Sequence, residues 1–204
     1  MIAIINYGLG NLESIHNMLR KIQLDSIITS DPEIIKEATH IILPGVGSFD
    51  HGMKSLHELG LMPIIEQQVL QNKIPLLGIC LGMQLLCKNS EEGNLPGLGW
   101  IDAKVVKFSD DKPIRIPHIG WNTVIVKSSN SFVDLIKESE FYFVHSYHVV
   151  CNNPNDIVLQ TNYHYDFTSM IQHENICGVQ FHPEKSHKYG MMFFSHFFKT
   201  TGKV

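Results

Sequence analysis

In the first half of the chain, short runs of consecutive apolar residues alternate with segments in which apolar residues return every three or four positions. The runs Met1–Asn6, Ser26–Thr29, His40–Leu43 and Pro75–Ile79 are mostly β-branched or leucine and show no polar alternation, which predicts strands buried on both faces. Amphipathic helices fill the intervals. Asn11 stands at the N-cap position of one, and Leu12, Ile15, Leu19 and Ile22 follow at spacings of 3, 4 and 3, giving a single apolar face. Asp31-Pro32 opens a short second helix with proline at its first position, and Leu61 to Gln71 makes a third that stops at Asn72, ahead of Pro75. Strands and helices in this order predict a parallel sheet with helices on both faces and right-handed crossovers. Ligands of such sheets bind at the carboxyl ends of the strands.

From about Ile101 the pattern becomes strand after strand: Ala103–Phe108, Thr123–Val126, Phe141–Val144, Ile157–Gln160, Thr168–Gln172 and Ile176–Phe181, parted by Asn, Asp, Pro and Ser clusters. A helix from Ser186 to Lys199 closes the chain. The expected fold is a three-layer α/β domain, with a central, mostly parallel sheet and an antiparallel or mixed C-terminal extension. No repeat, linker or charge block divides it, so residues 1–204 are expected to form one domain.

Composition narrows the function classes. With 44% apolar and 18% charged residues, the chain has enough apolar surface for a core and is not a disordered polypeptide. The net charge of −4 leaves no basic footprint for a phosphate backbone, so no nucleic-acid partner is expected. The densest apolar stretch, Pro75 to Cys87, has 13 residues against the roughly 18 of a membrane helix. The segment Met1–Asn6 lacks the cationic start of a signal peptide and reads as a first strand, so a cytoplasmic location is expected. The cysteines Cys80, Cys87, Cys151 and Cys177 form no Cys-x-x-Cys pair and are expected as reduced thiols.

Three strand-end motifs carry the chemistry. Gly78-Ile79-Cys80-Leu81-Gly82 runs from an apolar strand into a helix, the sequence form of a nucleophile elbow with cysteine in place of serine. Flanking glycines let the chain turn sharply, and a helix N-terminus favours the thiolate, the reactive form of cysteine. An isolated cysteine in such a run is commonly a core residue; the glycines on both sides set this one apart. A thiolate nucleophile needs a base, and the base an orienting group. His182 and Glu184, in Gln180-Phe181-His182-Pro183-Glu184, are two apart at a strand end, so in extended chain they point the same way. The carboxylate would fix the tautomer of the imidazole and favour its protonated form. A parallel sheet gathers the carboxyl ends of its strands, so Cys80 and His182 can meet although far apart in the chain. The third motif, Pro44-Gly45-Val46-Gly47, follows a strand and offers backbone N–H donors for an oxyanion, as does Leu81 beside the nucleophile.

Other features are weaker. Gly8-Leu9-Gly10 begins like a dinucleotide fingerprint, but Glu13 stands at the third glycine position and no such cofactor is expected. His145 and His148 would face opposite sides of one strand, and no second cluster completes a metal site, so neither metal nor cofactor is expected. Phe193, Phe194, Phe197 and Phe198 read as the packed face of the last helix.

Together these motifs resemble the class I, triad-type glutamine amidotransferases. Within them, Tyr7-Gly8-Leu9-Gly10-Asn11-Leu12, His118-Ile119-Gly120-Trp121-Asn122 and His182-Pro183-Glu184-Lys185-Ser186 look like the glutaminase subunits of imidazole glycerol phosphate synthases, in family order along essentially the whole chain. The resemblance implies Cys80 as nucleophile, His182 as base and acid, Glu184 as orienting carboxylate, and Val46 and Leu81 as backbone oxyanion donors. It implies glutamine as substrate, bound by Gly47, Gln84 and the main chain at Ser146 and Tyr147. Gly10, Asn11, Trp121 and Lys185 fall where the family meets its partner, a (β/α)8 cyclase subunit that receives ammonia. Asn6, where many relatives have Asp, and the segment Ser186–Met191 depart from the commoner pattern without touching the triad. Three alternatives stay open. They are a paralogous subunit supplying ammonia to a sugar amidotransferase in surface-glycan synthesis, a catalytically idle regulatory subunit, and a cysteine peptidase or γ-glutamyl hydrolase.

Overall fold

The structure, a computed structural model, describes residues 1–109, 115–128 and 136–201. The first half comprises β1 (Ile2–Ile5), α1 (Leu12–Lys21), β2 (Ser26–Thr29), α2 (Pro32–Lys36), β3 (His40–Leu43), α3 (Phe49–Glu58), α4 (Met62–Glu66), β4 (Leu76–Ile79), α5 (Leu81–Leu85) and the short β5 (Asn89–Ser90). The second comprises β6 (Ala103–Lys107), β7 (His118–Thr123), β8 (Ile125–Val126), β9 (Glu140–His145), β10 (Tyr147–Cys151), β11 (Ile157–Tyr163), β12 (Tyr165–His173), β13 (Ile176–Val179) and α6 (His187–Thr200).

The strands β2, β1, β3, β4 and β13 lie side by side in that order, all parallel. Beyond β13 the sheet turns antiparallel through β12, β10 and β6, and β11 with β8 branches from β12. The expected parallel core with a mixed extension is thus what forms. β7 and β9 stand apart as a two-stranded antiparallel ribbon.

Period-2 alternation in β1 sorts the two apolar layers. Ile2 and Ile4 face one side, packing with Ile15 and Leu19 of α1 and Phe193, Phe194 and Phe197 of α6. Ala3 and Ile5 face the other, with Ile35 of α2, Met53 and Leu56 of α3 and Ile65 of α4. Each of these larger side chains contributes roughly 1.5–3 kcal/mol on leaving water, which explains why an uninterrupted apolar run becomes a central strand.

Several local details depart from the sequence reading. Asn11 occupies the N-cap position of α1 without a side-chain capping bond, whereas Asp31 caps α2 by accepting from Glu33 N–H at 2.9 Å. The helix expected over Leu61–Gln71 widens into a π-helical turn at Gln67–Gln71. α3 was not foreseen because Gly52 and two histidines dilute its pattern; a Cβ on Gly52 would lie 3.0 Å from Leu85, so the glycine serves the contact with α5. β10 escaped notice as well. His145 ends β9 and Tyr147 begins β10, so the strand breaks at Ser146. In consequence His145 and His148 do not face opposite sides: both rings pack on Phe108, with centroids 5.2 and 4.8 Å away, in a cluster with His118 and Phe167.

Burial holds these imidazoles neutral. It lowers His118 to about 4, lowers His148 and pushes His145 well down; burial and then the N-terminal ammonium lower His40 to about 4. A histidine whose value is depressed in the native state binds fewer protons there than unfolded, so its contribution is complete above about 6.5 and is lost as pH falls toward 4. The urea midpoint should therefore drop across that window. In His40→Gln the slope of stability against pH should flatten by up to about 1.4 kcal/mol per pH unit, the value for one proton; an unchanged slope would contradict the assignment.

Candidate active site

Strands β4 and β13 pair in parallel with Ile79 opposite Val179, and Cys80 N–H donates to the Val179 carbonyl at 2.7 Å. The pairing therefore reaches the first residue past β4. There the backbone bends abruptly: Cys80 has φ 54° and ψ −108°, a strained conformation for a residue with a side chain. The flanking glycines are demanded by space. A Cβ on Gly78 would sit 2.7 Å from the Gly82 carbonyl oxygen, and one on Gly82 only 1.9 Å from that of Leu43.

Two residues beyond Gln180, His182 is almost wholly buried, and its Nδ1 lies 2.8 Å from Oε1 of the equally buried Glu184. The connecting chain is not extended as the spacing suggested. Pro183–Lys185 form a 3-10 turn, and that turn brings the carboxylate round to the ring. His182 N–H donates to the Tyr142 carbonyl of β9 at 2.9 Å. Ser186 ties the same corner twice, its hydroxyl donating to the His182 carbonyl at 2.6 Å and accepting from Tyr142 N–H at 3.0 Å. With Nδ1 committed to Glu184, Nε2 has no conventional hydrogen bond among the described residues. Burial disfavours the imidazolium, but the charge of the Cys80 sulfur, reinforced by Glu184, outweighs it and raises His182 from 6.5 to about 10.

Both side chains open into a cavity of about 520 Å3, which is also lined by Val46, Gly47, Leu81, Gln84, Ser146, Tyr147 and Lys185. Every residue the sequence suggested for the oxyanion or substrate thus meets Cys80 and His182 at one rim. The 44–47 loop is fixed from below by the buried Tyr7, whose hydroxyl donates to the Pro44 carbonyl, and Gly47 takes φ +113°, a value open to glycine. Burial pushes the Tyr7 hydroxyl far above its ordinary range, so it remains a donor. Gln84 is buried and its Nε2 donates to the Tyr147 carbonyl at 3.2 Å.

Glu92, which the sequence reading missed, lines the cavity too, with Oε2 accepting from Phe49 N–H at 2.8 Å. Only the Glu91-Glu92-Gly93 turn marked it, and an acidic turn is ordinarily solvated. Tyr7 and Ser186 stand within the sequence motifs without a role assigned by them; their tasks depend on long-range contacts that spacing does not encode.

Of the four residues expected at a partner surface, Lys185 lines the cavity itself. Trp121 is 45% exposed and stacks on His187, while the rings of Trp121 and Tyr142 meet edge-on; the Lys185 ammonium lies 5.7 Å from the Tyr142 ring centre. Gly10 packs against Pro44, where a Cβ would approach to 3.0 Å, and Asn11 leads into α1, which packs on the Pro183–Lys185 turn.

The family pattern of class I glutamine amidotransferases matches residues 3–200. The chain belongs to that family. It is similar to imidazole glycerol phosphate synthase subunit HisH 2 of Methanococcus maripaludis, at 57% identity over 98% of this chain and 99% of the relative. It is 45% identical to the HisH 2 subunit of Pseudomonas aeruginosa, covering 97% of this chain and 98% of that one. Identity to the HisH subunit of Bdellovibrio bacteriovorus is 43%, again over 97% and 98%. Among solved structures, a glutamine amidotransferase superposes with TM-score 0.73 at 16% identity, over 98% of this chain and 99% of its own. PurLQS from Thermotoga maritima gives 0.69 at 15%, over 98% and 97%. These two likenesses concern the fold.

The spatial demand at the elbow of this amidotransferase is directly testable. Gly82→Ala should lower stability by about 2–4 kcal/mol, because the new methyl group meets the Leu43 carbonyl and the chain must shift. Chemical denaturation of the variant reads this out; a loss under about 0.5 kcal/mol would contradict the packing described.

Proposed function

We propose that this amidotransferase is the glutaminase subunit of an imidazole glycerol phosphate synthase. It hydrolyses glutamine and passes the ammonia to a partner (β/α)8 cyclase subunit that forms imidazole glycerol phosphate and AICAR in histidine biosynthesis. The observation that carries the chemistry is one cavity lined by a strained Cys80 at a strand–helix corner and by His182, itself held by Glu184. The choice of acceptor is supported by the HisH relatives, matched over nearly their full length.

The reaction follows from these groups. The Cys80 thiolate attacks the side-chain amide carbon of glutamine, a C–S bond forms and the carbonyl electron pair moves onto oxygen. Backbone N–H groups of Val46 and Leu81 receive that oxyanion; Leu81 opens α5, where amides have no partner within the helix. The His182 imidazolium gives its proton to the departing nitrogen, the C–N bond breaks and ammonia leaves. A water molecule then yields a proton to neutral His182 as its oxygen attacks the thioester carbon. The C–S bond breaks, the thiolate and imidazolium return, and glutamate leaves after giving its carboxyl proton to solvent. Gln84, Gly47 and the Ser146–Tyr147 main chain hold the substrate, and the Glu92 carboxylate supplies a negative group for its ammonium.

Trp121, Lys185, Gly10 and Asn11 form the docking rim for the cyclase. A partner seated there covers the route taken by ammonia. In bulk water at neutral pH ammonia is mostly protonated and no longer nucleophilic, so the cover preserves the reactive form.

Glutamate release should rise when the cyclase and its nucleotide ligand are added. It should vanish in Cys80→Ala, and in Glu184→Gln kcat should fall by about 10²–10⁴ with little change in KM. Hydrolysis persisting in Cys80→Ala would refute the nucleophile. Silence with the cyclase together with activation by a sugar amidotransferase would move the acceptor to surface-glycan synthesis.

A further inference from the structure

Gln180 is fully buried between the nucleophile and the substrate-binding glutamine, and the mechanism above leaves it unused. Its Nε2 lies 3.6 Å from the Cys80 sulfur, within hydrogen-bond range for sulfur, and its Oε1 lies 3.0 Å from Gln84 Nε2. We propose that Gln180 is a further catalytic residue, donating an amide hydrogen bond that stabilises the nucleophilic Cys80 thiolate, and that the Tyr147 carbonyl, acting through Gln84, fixes the direction of that bond. The proposal rests on Cys80 being the nucleophile.

The direction is set by groups with only one role available. The Tyr147 carbonyl can only accept, so the Gln84 end bonded to it is the NH2 group. The same NH2 reaches Gln180, which must therefore present its oxygen to Gln84 and turn its own NH2 to the sulfur. Tyr147 O also lies 2.8 Å from His145 Nδ1, which must carry the proton, leaving His145 Nε2 as an acceptor 3.0 Å from His118 Nδ1. His118 Nε2 is then an acceptor as well and meets the Asn122 NH2 at 3.3 Å.

The far end assigns the same two imidazole tautomers independently. Thr123 N–H donates to Asn122 Oδ1 at 2.8 Å, and this alone turns the Asn122 NH2 toward His118. Both ends thus require neutral imidazoles protonated on Nδ1, the state that burial favours. An amide donor aimed at sulfur favours the charged form, because the bond strengthens when the acceptor carries a full negative charge. The ionisable groups that act on the sulfur are His182, backed by Glu184, and Tyr7. His145 in turn feels His118, His148 and His182.

The pH dependence of Cys80 alkylation by iodoacetamide, followed by mass spectrometry on the intact protein, tests the bond without relying on glutaminase activity. In Gln180→Met, which keeps the length and loses the donor, the midpoint should rise by about one pH unit, a tenfold loss of thiolate below it. Gln180→Glu should raise it further, and Gln84→Met, which frees the Gln180 amide to flip, should raise it by less. A midpoint within 0.2 units of the parent in a folded Gln180→Met protein would overturn the proposal. It would do so even if kcat fell, since a packing role lowers turnover without moving the thiol titration. Should the variants fail to fold, the unmutated protein decides by NMR. The Gln180 side-chain amide signal should move with the alkylation midpoint. A pH-invariant amide would sink the proposal, whereas hydrolysis by Cys80→Ala would sink the nucleophile reading instead.

Discussion

The parallel pairing of β4 with β13 is the constraint on which the rest depends. Each strand alone is four apolar residues with nothing chemical about them. Set side by side with Ile79 opposite Val179, they end together, and each chain leaves the sheet at the same height. One exit carries a sulfur and the other an amide followed by an imidazole. A slip by one residue would send the Cys80 side chain to the opposite face and leave His182 beside an apolar layer. The register is guarded by close approach: Gly78 pairs with Gly178, and a Cβ on either would come within 2.7 Å of α5, so a slip would drive a larger side chain into that helix.

The positive φ of Cys80 is the local cost of this arrangement. Such a conformation costs of the order of 1–3 kcal/mol and persists where surroundings over-determine it. Here the Val179 carbonyl holds the amide of Cys80, while Gly78 and Gly82 let the corner close tightly enough for Leu43 to touch it. The strain lifts the sulfur clear of the sheet into the cavity instead of into the core, where Cys87 and Cys177 lie inert with thiols pushed up by burial. Backbone geometry thereby sets Cys80 apart from Cys87, Cys151 and Cys177, whose thiols burial pushes up.

Much of this was legible in the sequence because the chemistry sits in contiguous motifs. The strands β2 and β3 have the bounds their apolar runs suggested, and Cys80, His182 and Glu184 lie together in space. What escaped depends on partners far along the chain. Gly120 and Asn122 broke the alternation that would have marked β7, and the serine between His145 and Tyr147 concealed a strand break. The Pro183–Lys185 turn illustrates a right outcome reached by a different geometry, since the two-residue spacing suggested extended chain and the carboxylate arrives by a turn. Glu92 and Gln180 were invisible for the same reason: a polar residue in a turn or at a strand end has no sequence mark that distinguishes solvent from a buried site.

Cys80 and His182 are tied to the fold at different places. Cys80 hangs from the eleven-stranded sheet through Val179, while His182 hangs from the separate β7–β9 ribbon through Tyr142, and Ser186 doubles that second mooring. Trp121 sits on the outer face of the same ribbon, directly across from Tyr142 in the pairing. A load applied at the indole therefore has a short mechanical path through Tyr142 to the imidazole and a second along β9 to Val144, whose carbonyl lies 3.9 Å from the Cys80 sulfur, so one ribbon spans both side chains like a yoke.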